Sequence, residues 1–247
     1  MPLTRVFLAI MSVCLAGACS GPPPGSDGIW DPHEASNRRV HAFNASLDDK
    51  LTRRAGAGYA RSVPPDVQQV VGNMADTVSL PQTVVNQILQ GRLGRATRNT
   101  LRFSINATLG IAGMFDVAGD FGLRHDESDF GETLAVWGVP EGAYLVLPIA
   151  GPSTKRDAAG RVVDLFTNPL DRVLRTPHRR AKTGILMFDR VGKRGRYGAT
   201  VDGILHDSAD SYAQLRLIYL QNRRHALGIA PPSGEEIDPT EIDVTGF

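Results

Sequence analysis

One short run of the chain combines residue types that can bind a metal ion. Residues 125–129 read His-Asp-Glu-Ser-Asp, and an imidazole beside several carboxylates can hold a divalent cation. The glycine-centred spacing of a calcium-binding loop is absent, and no second histidine cluster accompanies the run. An acidic loop that caps the following helix explains these residues more simply. We therefore expect no metal site and no cofactor.

The common catalytic constellations are missing from the mature part of the sequence. It lacks the G-x-S-x-G elbow, the S-x-x-K pair, the C-x-x-C pair, the H-E-x-x-H zinc motif and the phosphate-binding G-x-x-x-x-G-K loop. Ser153 lies in Gly-Pro-Ser-Thr, which lacks the second glycine of the elbow. The histidines between His33 and His225 are scattered. An enzyme is therefore the weaker hypothesis.

Cys19 carries the one covalent modification that the sequence predicts. A basic residue, an apolar run over residues 6–13 and small residues just before Cys19 are typical of a signal peptide. Cleavage there would expose the thiol for lipid attachment, although Leu15 lies one position further away than is usual in lipoproteins. The alternative is a plain secretory signal with an incidental cysteine. Lipidation is favoured because the mature chain has no second cysteine for a disulfide. Ser20 is compatible with export to the outer membrane.

Charge and composition place limits on the partners of the chain. The net charge is +1 and hydrophobic residues make up 42% of the sequence, so no global field favours nucleic acid. We predict a signal peptide over residues 1–18, a lipidated Pro/Gly tether over 19–28, a helical domain over 29–227 and a disordered acidic tail over 228–247.

Apolar residues recur at helical spacing along most of that domain, which favours an all-α fold. Asp31 is predicted to cap a first helix, whose apolar stripe is Val40, Phe43, Leu47 and Leu51. Residues 53–62 are predicted to form a loop. Further helices are predicted to start at Pro64-Pro65-Asp66, at Ser79-Leu-Pro-Gln82, near Arg92, at Asp129 with Glu132, after a turn at residues 151–154 where Ser153 is the cap, and at Asp207 or Ser208.

Residues 102–157 are the stretch around which these elements are organised. Its first part carries Gly110, Gly113, Gly119 and Gly122 in an apolar setting that suits neither a clean helix nor an alternating strand. Glycine permits positive φ and close packing, so this segment is predicted to bend or hinge. Asn106 would cap the end of the preceding helix or contact a lipid head group.

Five motifs resemble the MlaA (VacJ) family of outer-membrane lipoproteins from the phospholipid-transport system. They are DPHEASNRRVHAFNASLD (31–48), LPQTVVNQILQG (80–91), RFSINATLGIAGMFDVA (102–118), DFGETLAVWGVPEGAYLVLP (129–148) and GPSTKRD (151–157). They occur in the order of the family, and the likeness covers about residues 29–224.

The resemblance implies a ring-like bundle of short amphipathic helices that lies in the inner leaflet of the outer membrane without a long transmembrane span. It implies an amphipathic channel through which mislocalised phospholipids leave the outer leaflet and pass to a periplasmic lipid carrier protein. A trimeric porin is the expected partner. The alternatives are a porin-associated structural lipoprotein without transport and a membrane-anchored lipid hydrolase.

The site residues follow from the same motifs. Residues predicted to form the channel wall and hinge are Leu109, Gly110, Ile111, Gly113, Met114, Phe115 and Phe121. Motif residues predicted to lie near lipid are Asn37, Arg38, Phe43, Asn44, Asn106, Asp116, Phe130, Trp137, Tyr144, Pro148, Arg156 and Asp157. Two of these predictions have structural alternatives: Phe43 as a core residue beside a solvated or capping Asn44, and an ion pair between Arg156 and Asp157. The basic stretch 172–196 is either a solvated helix face or a contact with anionic head groups or an acidic partner.

Overall fold

The computed structural model of the chain describes residues 29–229, which form eleven helices and one β-hairpin. The helices are α1 Glu34–Leu47, α2 Arg53–Ser62, α3 Pro65–Leu89, α4 Leu93–Thr108, α5 Val117–Asp120, α6 Phe130–Val136, α7 Lys155–Thr167, α8 Pro169–Val173, α9 Thr176–Arg196, α10 Gly198–Leu205 and α11 Ser211–Ala226. A π-helical turn, Asp48–Thr52, joins α1 to α2. Strands β1 Tyr144–Leu147 and β2 Gly151–Thr154 pair antiparallel, with Tyr144 opposite Thr154 and Leu147 opposite Gly151. Cys19, the signal segment, the tether and residues 230–247 lie outside the described part.

The packing contacts between elements close into a circuit. From α1 the contacts pass to β1, β2, α7, α6, α3, α9 and α2, and then return to α1 through the π-helical turn. Helix α11 packs against β2 and α10. In residues 29–229 we find no helix that is both long and apolar enough to cross a membrane. The predicted fold class, helical and without a long transmembrane span, is confirmed, with the hairpin as an addition.

The polarity of many described helices is inverted relative to a water-soluble bundle. Helix α1 buries Asn37 and His41, and α4 buries Asn99, Arg102 and Asn106. The apolar stripe predicted for the first helix is divided: Val40 packs against buried residues of the hairpin and α11, whereas Phe43 is 54% exposed and Leu51 is 59% exposed. A small aromatic and aliphatic core lies around the hairpin and α11, and its buried members are Tyr144, Val146, Tyr212 and Leu220.

Two predicted boundaries between helices are wrong. Residues 53–62 form helix α2 rather than a loop, because Gly56 lets α2 and α9 pack backbone to backbone: a Cβ there would come within 2.8 Å of the Gly195 nitrogen. No helix begins at Ser79. Helix α3 runs through Pro81 without interruption, and the Ser79 hydroxyl donates to the Ala75 carbonyl (2.8 Å) instead of capping.

Three predicted caps are also replaced by neighbours. The first helix begins as predicted, but His33 occupies the cap position, while the Asp31 carboxylate accepts hydrogen bonds from Asn37, Tyr212 and Arg216. The predicted turn at 151–154 is strand β2, after which Thr154, not Ser153, caps α7. The last helix is capped by Asp210, two to three residues later than predicted.

Candidate functional site

The segment that follows α4, residues 109–116, forms a compact turn that we call the glycine turn. Its backbone is held by hydrogen bonds from Ala112 N to Ala107 O (3.1 Å), from Gly113 N to Asn106 O (2.8 Å) and from Phe115 N to Gly110 O (3.0 Å). Ile111, Ala112 and Gly113 have φ of 52°, 57° and 86°. For a β-branched residue such as Ile111 this conformation is a genuine outlier, and such strain is concentrated at functional sites.

The predicted wall residues of this region point away from the packed interior. Exposed side chains there are Leu109, Ile111, Met114, Phe115 and, beyond α5, Phe121. Gly110 is enclosed instead, since a Cβ would come within 2.6 Å of the Asn106 carbonyl oxygen. The glycine turn therefore presents an apolar surface on a bonded, strained backbone.

A polar lock holds the base of the glycine turn. Asn106 donates from Nδ2 to Asp116 Oδ1 (2.8 Å) and accepts at Oδ1 from Ala118 N (2.9 Å). Arg102 Nη2 donates to the same carboxylate (2.7 Å), and Asp116 also accepts from Gly119 N as the cap of α5. Burial disfavours the Asp116 carboxylate, but the hydrogen bonds from Asn106 and Arg102 outweigh it and lower its pKa. The described contacts of the Asn106 side chain therefore tie α4 to the start of α5. They do not cap the end of α4.

A small polar pocket lies between α3, α4 and the glycine turn. It is partly open to solvent, leaves only about 10 Å³ for the centres of water-sized spheres, and is lined by Asn73, Asp76, Thr77, Leu80, Arg102, Asn106, Asp116 and His125. Burial raises the pKa of Asp76. Ligand pockets usually measure about 300–1,000 Å³ and are mostly apolar, so this pocket suits water or a small polar group rather than an acyl chain.

Two asparagines of the first motif, on α1, hydrogen-bond to the backbone of the β-hairpin. Asn37 Nδ2 donates to Tyr144 O (3.1 Å), and its Oδ1 accepts from Val146 N (3.0 Å). About two turns further along α1, Asn44 Nδ2 donates to Leu147 O (2.9 Å) and its Oδ1 accepts from Ile149 N (2.8 Å). The role of Asn44 is thus neither solvation nor helix capping, because its amide fixes the tip of the hairpin.

The hairpin tip, like the glycine turn, exposes an isoleucine whose backbone has a positive φ. Ile149 is 79% exposed and has a φ of 66°, again a β-branched residue in the left-handed region. Phe43 is exposed and occupies the position before Asn44 on α1. Arg38, also predicted near lipid, instead pairs with Asp210 (2.9 Å) and Glu34 (2.8 Å) at the surface. Tyr144 is fully buried.

Four polar residues bind α6, α7 and α11 together, and we call Asp129, Asp157, Tyr219 and Arg223 the carboxylate clamp. Arg223 reaches Asp129 (2.7 Å) and Asp157 (2.9 Å), and the Tyr219 hydroxyl donates to Asp157 (2.6 Å). Burial disfavours the Asp157 carboxylate, but the charge of Arg223 and the Tyr219 hydrogen bond outweigh it and lower its pKa. Tyr219 and Arg223, four residues apart on one helix, were not singled out from the sequence.

The helices of the clamp also approach very closely. A Cβ on Gly160 of α7 would come within 2.6 Å of the Gly131 Cα on α6. Arg156 is buried on α7 with its Nε 3.5 Å from Asp157, but its Nε and Nη2 make no hydrogen bond within the described residues, so the ion pair leaves part of the guanidinium unsatisfied. Phe130 is buried at the start of α6, which Asp129 caps as predicted through Glu132 N (2.8 Å).

Trp137 closes α6 at an apolar surface. Its Nε1 donates to Leu89 O at the end of α3 (3.1 Å), and its ring packs edge-on against Phe130 at a centroid distance of 5.6 Å. Leu89, Val136 and Trp137 itself are exposed. The indole N–H of Trp137 is therefore hydrogen-bonded while its apolar ring remains exposed. Tryptophan often has this arrangement at an interface between apolar and polar surroundings.

The acidic loop 125–129 is engaged in helix packing and ion pairs. Asp126 pairs with Arg98 (2.6 Å), while Asp129 belongs to the clamp. Elsewhere in the described part, Asp48, Asp202 and His206 place ligand atoms within 4.8 Å of one another. Arg194 pairs with both of these carboxylates, at 2.7 and 2.6 Å, and Arg53 pairs with Asp202 (2.9 Å), so two cations already face the two carboxylates.

Comparison with known proteins places this geometry in a family. The family model described as MlaA lipoprotein matches residues 29–226. The intermembrane phospholipid transport system lipoprotein MlaA of Escherichia coli K12 is 31% identical over 245 residues, which cover 98% of this chain and 93% of that protein. An uncharacterised protein of Rickettsia bellii is 35% identical over 200 residues, covering 81% and 77% of the two chains.

A solved structure gives the same answer for the fold. It comes from work on the structural basis for maintenance of bacterial outer membrane lipid asymmetry, superposes with a TM-score of 0.68 at 29% identity, and covers 80% of this chain and 98% of its own. The family model, the relatives and the solved structure agree with the motif resemblance seen in the sequence. The chain belongs to the MlaA lipoprotein family.

Proposed function

We propose that this chain transports phospholipid between membranes, withdrawing mislocalised phospholipids from the outer leaflet of the outer membrane and passing them to a periplasmic carrier. Relatives with about 30% identity are named for intermembrane phospholipid transport, and the matched structure was studied in relation to outer membrane lipid asymmetry. The observation in this chain that carries the proposal is its inverted polarity, with polar side chains buried and large apolar ones exposed.

The physical task is to keep hydrocarbon away from water while a head group stays wet. A phospholipid with about 30 methylenes would cost on the order of 20–25 kcal/mol to expose, at about 0.8 kcal/mol each. The glycine turn and the hairpin tip offer exposed apolar side chains on backbones whose polar groups are bonded internally. In our proposal these surfaces contact acyl chains, and no bond is made or broken.

Attachment through Cys19 is part of the same proposal. A bacterial lipoprotein carries three acyl chains, whereas one chain binds a membrane only marginally, so a lipidated Cys19 would anchor the domain firmly at about 0.8 kcal/mol per methylene. The mass of the mature N-terminal peptide tests this directly. An unmodified cysteine would contradict the anchor without touching the transport proposal.

Mass spectrometry of lipids that copurify with the full chain in gentle detergent tests the transport proposal. Intact phospholipid, exchanged in vitro onto acceptor vesicles, is the expected result. Lysophospholipid would instead indicate a lipid hydrolase. Absence of bound lipid, together with copurification of a trimeric porin, would indicate a structural lipoprotein without transport.

The inferred hinge has its own test in the same assay. Gly110→Pro and Gly113→Pro should each alter lipid transport while Cys19 lipidation stays intact, because proline fixes φ near −65° and removes a backbone donor. Wild-type levels of outer-leaflet phospholipid in cells of both variants would contradict the hinge.

A further inference from the structure

The corner where α7, α8 and α9 meet carries an apolar patch that faces outward. Leu165, Phe166 and Val173 are 76%, 68% and 80% exposed, among the highest values for large apolar side chains in the described part. They lie within nine residues of one another in sequence, at the end of α7 and the end of α8. Exposed apolar side chains so close together mark a contact surface more often than a solvated one.

The inward side of this corner is polar and firmly bonded. Gln82 on α3 donates to Asp164 (2.6 Å) and to the Thr167 hydroxyl (3.1 Å), and Lys182 on α9 pairs with Asp171 on α8 (2.6 Å). Arg172 donates to the Phe166 carbonyl (3.0 Å), which ties the end of α8 to the end of α7. The apolar side chains are therefore held outward by polar contacts beneath them.

A basic cluster adjoins the apolar patch. Arg175, Arg179 and Arg180 are exposed; Arg175 occupies the cap position of α9, and Arg179 and Arg180 follow about one helical turn later. Within residues 29–229 no carboxylate lies within ion-pair distance of these three side chains, and the first turn of α9 has no acidic residue. Other cations of the basic stretch are paired, as Lys182, Lys193 and Arg194 are.

We infer that this corner is a docking surface for the anionic phosphate layer of a phospholipid membrane, with Leu165, Phe166 and Val173 in the acyl boundary and Arg175, Arg179 and Arg180 among the head groups. An apolar patch bordered by unpaired cations is complementary in charge and polarity to an anionic leaflet. The inference rests on the membrane location proposed above, and it concerns a contact other than the Cys19 anchor and the transported lipid. Three alternatives were open for the basic stretch 172–196: a solvated face, anionic head groups or an acidic partner. The inference assigns the beginning of that stretch to anionic head groups.

Arginine reactivity in vesicles tests the inference on the full lipidated chain. The protein is reconstituted in phosphatidylcholine alone or with added phosphatidylglycerol, treated with phenylglyoxal, and analysed by peptide mass spectrometry. We expect modification of Arg175, Arg179 and Arg180 to slow about tenfold with phosphatidylglycerol and to recover at high salt. Arg39, Arg95 and Arg124 are exposed arginines elsewhere and serve as internal controls.

A matched pair of variants makes the same test on bound lipid. R175A/R179A/R180A should retain less phosphatidylglycerol relative to phosphatidylcholine than R39A/R95A/R124A, by about tenfold or more. Equal reactivity in both vesicle types, or equal lipid ratios in the two variants, would overturn the inference. Loss of a copurifying acidic protein from R175A/R179A/R180A alone, with unchanged lipid ratios, would assign the surface to a protein partner instead.

Discussion

The carboxylate clamp and the glycine turn solve opposite structural problems within one small domain. In the clamp, buried charges meet partners on three elements, and α6 and α7 touch through glycines. In the glycine turn, apolar side chains are exposed while the backbone holds Ile111 in an unfavourable conformation. The comparison shows a division of roles between side chains. Polar side chains fix where the helices lie relative to one another, and apolar side chains remain exposed for contacts outside the fold.

The largest effect should come from breaking the clamp with Arg223→Ala. It removes the nearer of the two cations beside the buried Asp157 carboxylate and leaves only Arg156 at 3.5 Å, which we expect to lower the free energy of unfolding by about 3–5 kcal/mol. Thermal unfolding followed by circular dichroism in detergent measures the change, with Arg95→Ala as the exposed control. A loss below about 1 kcal/mol would mean that the clamp is not what positions α11.

The next effect tests the close approach of α6 and α7. Gly160→Ala would push a methyl group onto the Gly131 backbone and should destabilise the protein by about 1–3 kcal/mol, the usual cost of overpacking. Gly94→Ala in α4 is the matched control, because a Cβ there meets nothing within 4 Å. The control should be neutral or gain up to about 0.5 kcal/mol, since Gly94 is the second residue of α4, where alanine gains less over glycine than in a helix interior. Identical melting temperatures for the two variants would contradict the comparison.

A smaller effect is expected inside the glycine turn from Gly113→Ala. The left-handed φ costs a non-glycine residue about 1–2 kcal/mol, and the new Cβ would lie 2.6 Å from the Thr77 side chain. A cycle with Thr77→Gly separates the two costs, because only the contact with Thr77 should be non-additive. Simple additivity of the two variants would show that strain alone explains the loss.

The smallest effect has a diagnostic sign. Ile111→Gly relieves about 1–2 kcal/mol of backbone strain and loses about 0.5–1 kcal/mol to the greater freedom of the unfolded chain, so stability should rise by roughly 0.5 kcal/mol. Lipid transfer to acceptor vesicles should fall nevertheless, because the exposed side chain is gone. If stability falls together with transfer, Ile111 contributes to the fold and not to lipid contact.

The helices were largely predictable where local signals and packing agree. Asp129 with Glu132 predicted the start of α6, which Asp129 does cap. A helix start was wrongly predicted at Ser79-Leu-Pro-Gln82. Leu80 is buried where α3 packs against α4, and this packing maintains the helix through Pro81. Residues 53–62 misled because their helix depends on a partner, α9, more than 130 residues away.

The site was predictable in its location but less so in its contacts. The motifs singled out Asn44 and Asp157, but not their contacts. Only the fold shows that Asn44 bonds the hairpin tip and that Asp157 bonds Arg223. The apolar stripe of α1 was predicted without its partner, because helical spacing records only which residues share a face. It does not record whether that face meets protein or lipid. Whether the predicted wall residues touch phospholipid stays a prediction.

The hydrogen bonds at the hairpin tip have a consequence for wetting. Asn44 saturates the Leu147 carbonyl and the Ile149 amide, Ala150 N donates to Pro148 O (2.7 Å), and Arg161 donates to Ala150 O (3.2 Å). Pro148 has no amide hydrogen to satisfy. Hydrocarbon tolerates backbone only when its polar atoms are already matched. Most polar backbone atoms of this loop are thus matched within the protein, so the loop would carry less water into hydrocarbon than a freely solvated turn of the same length.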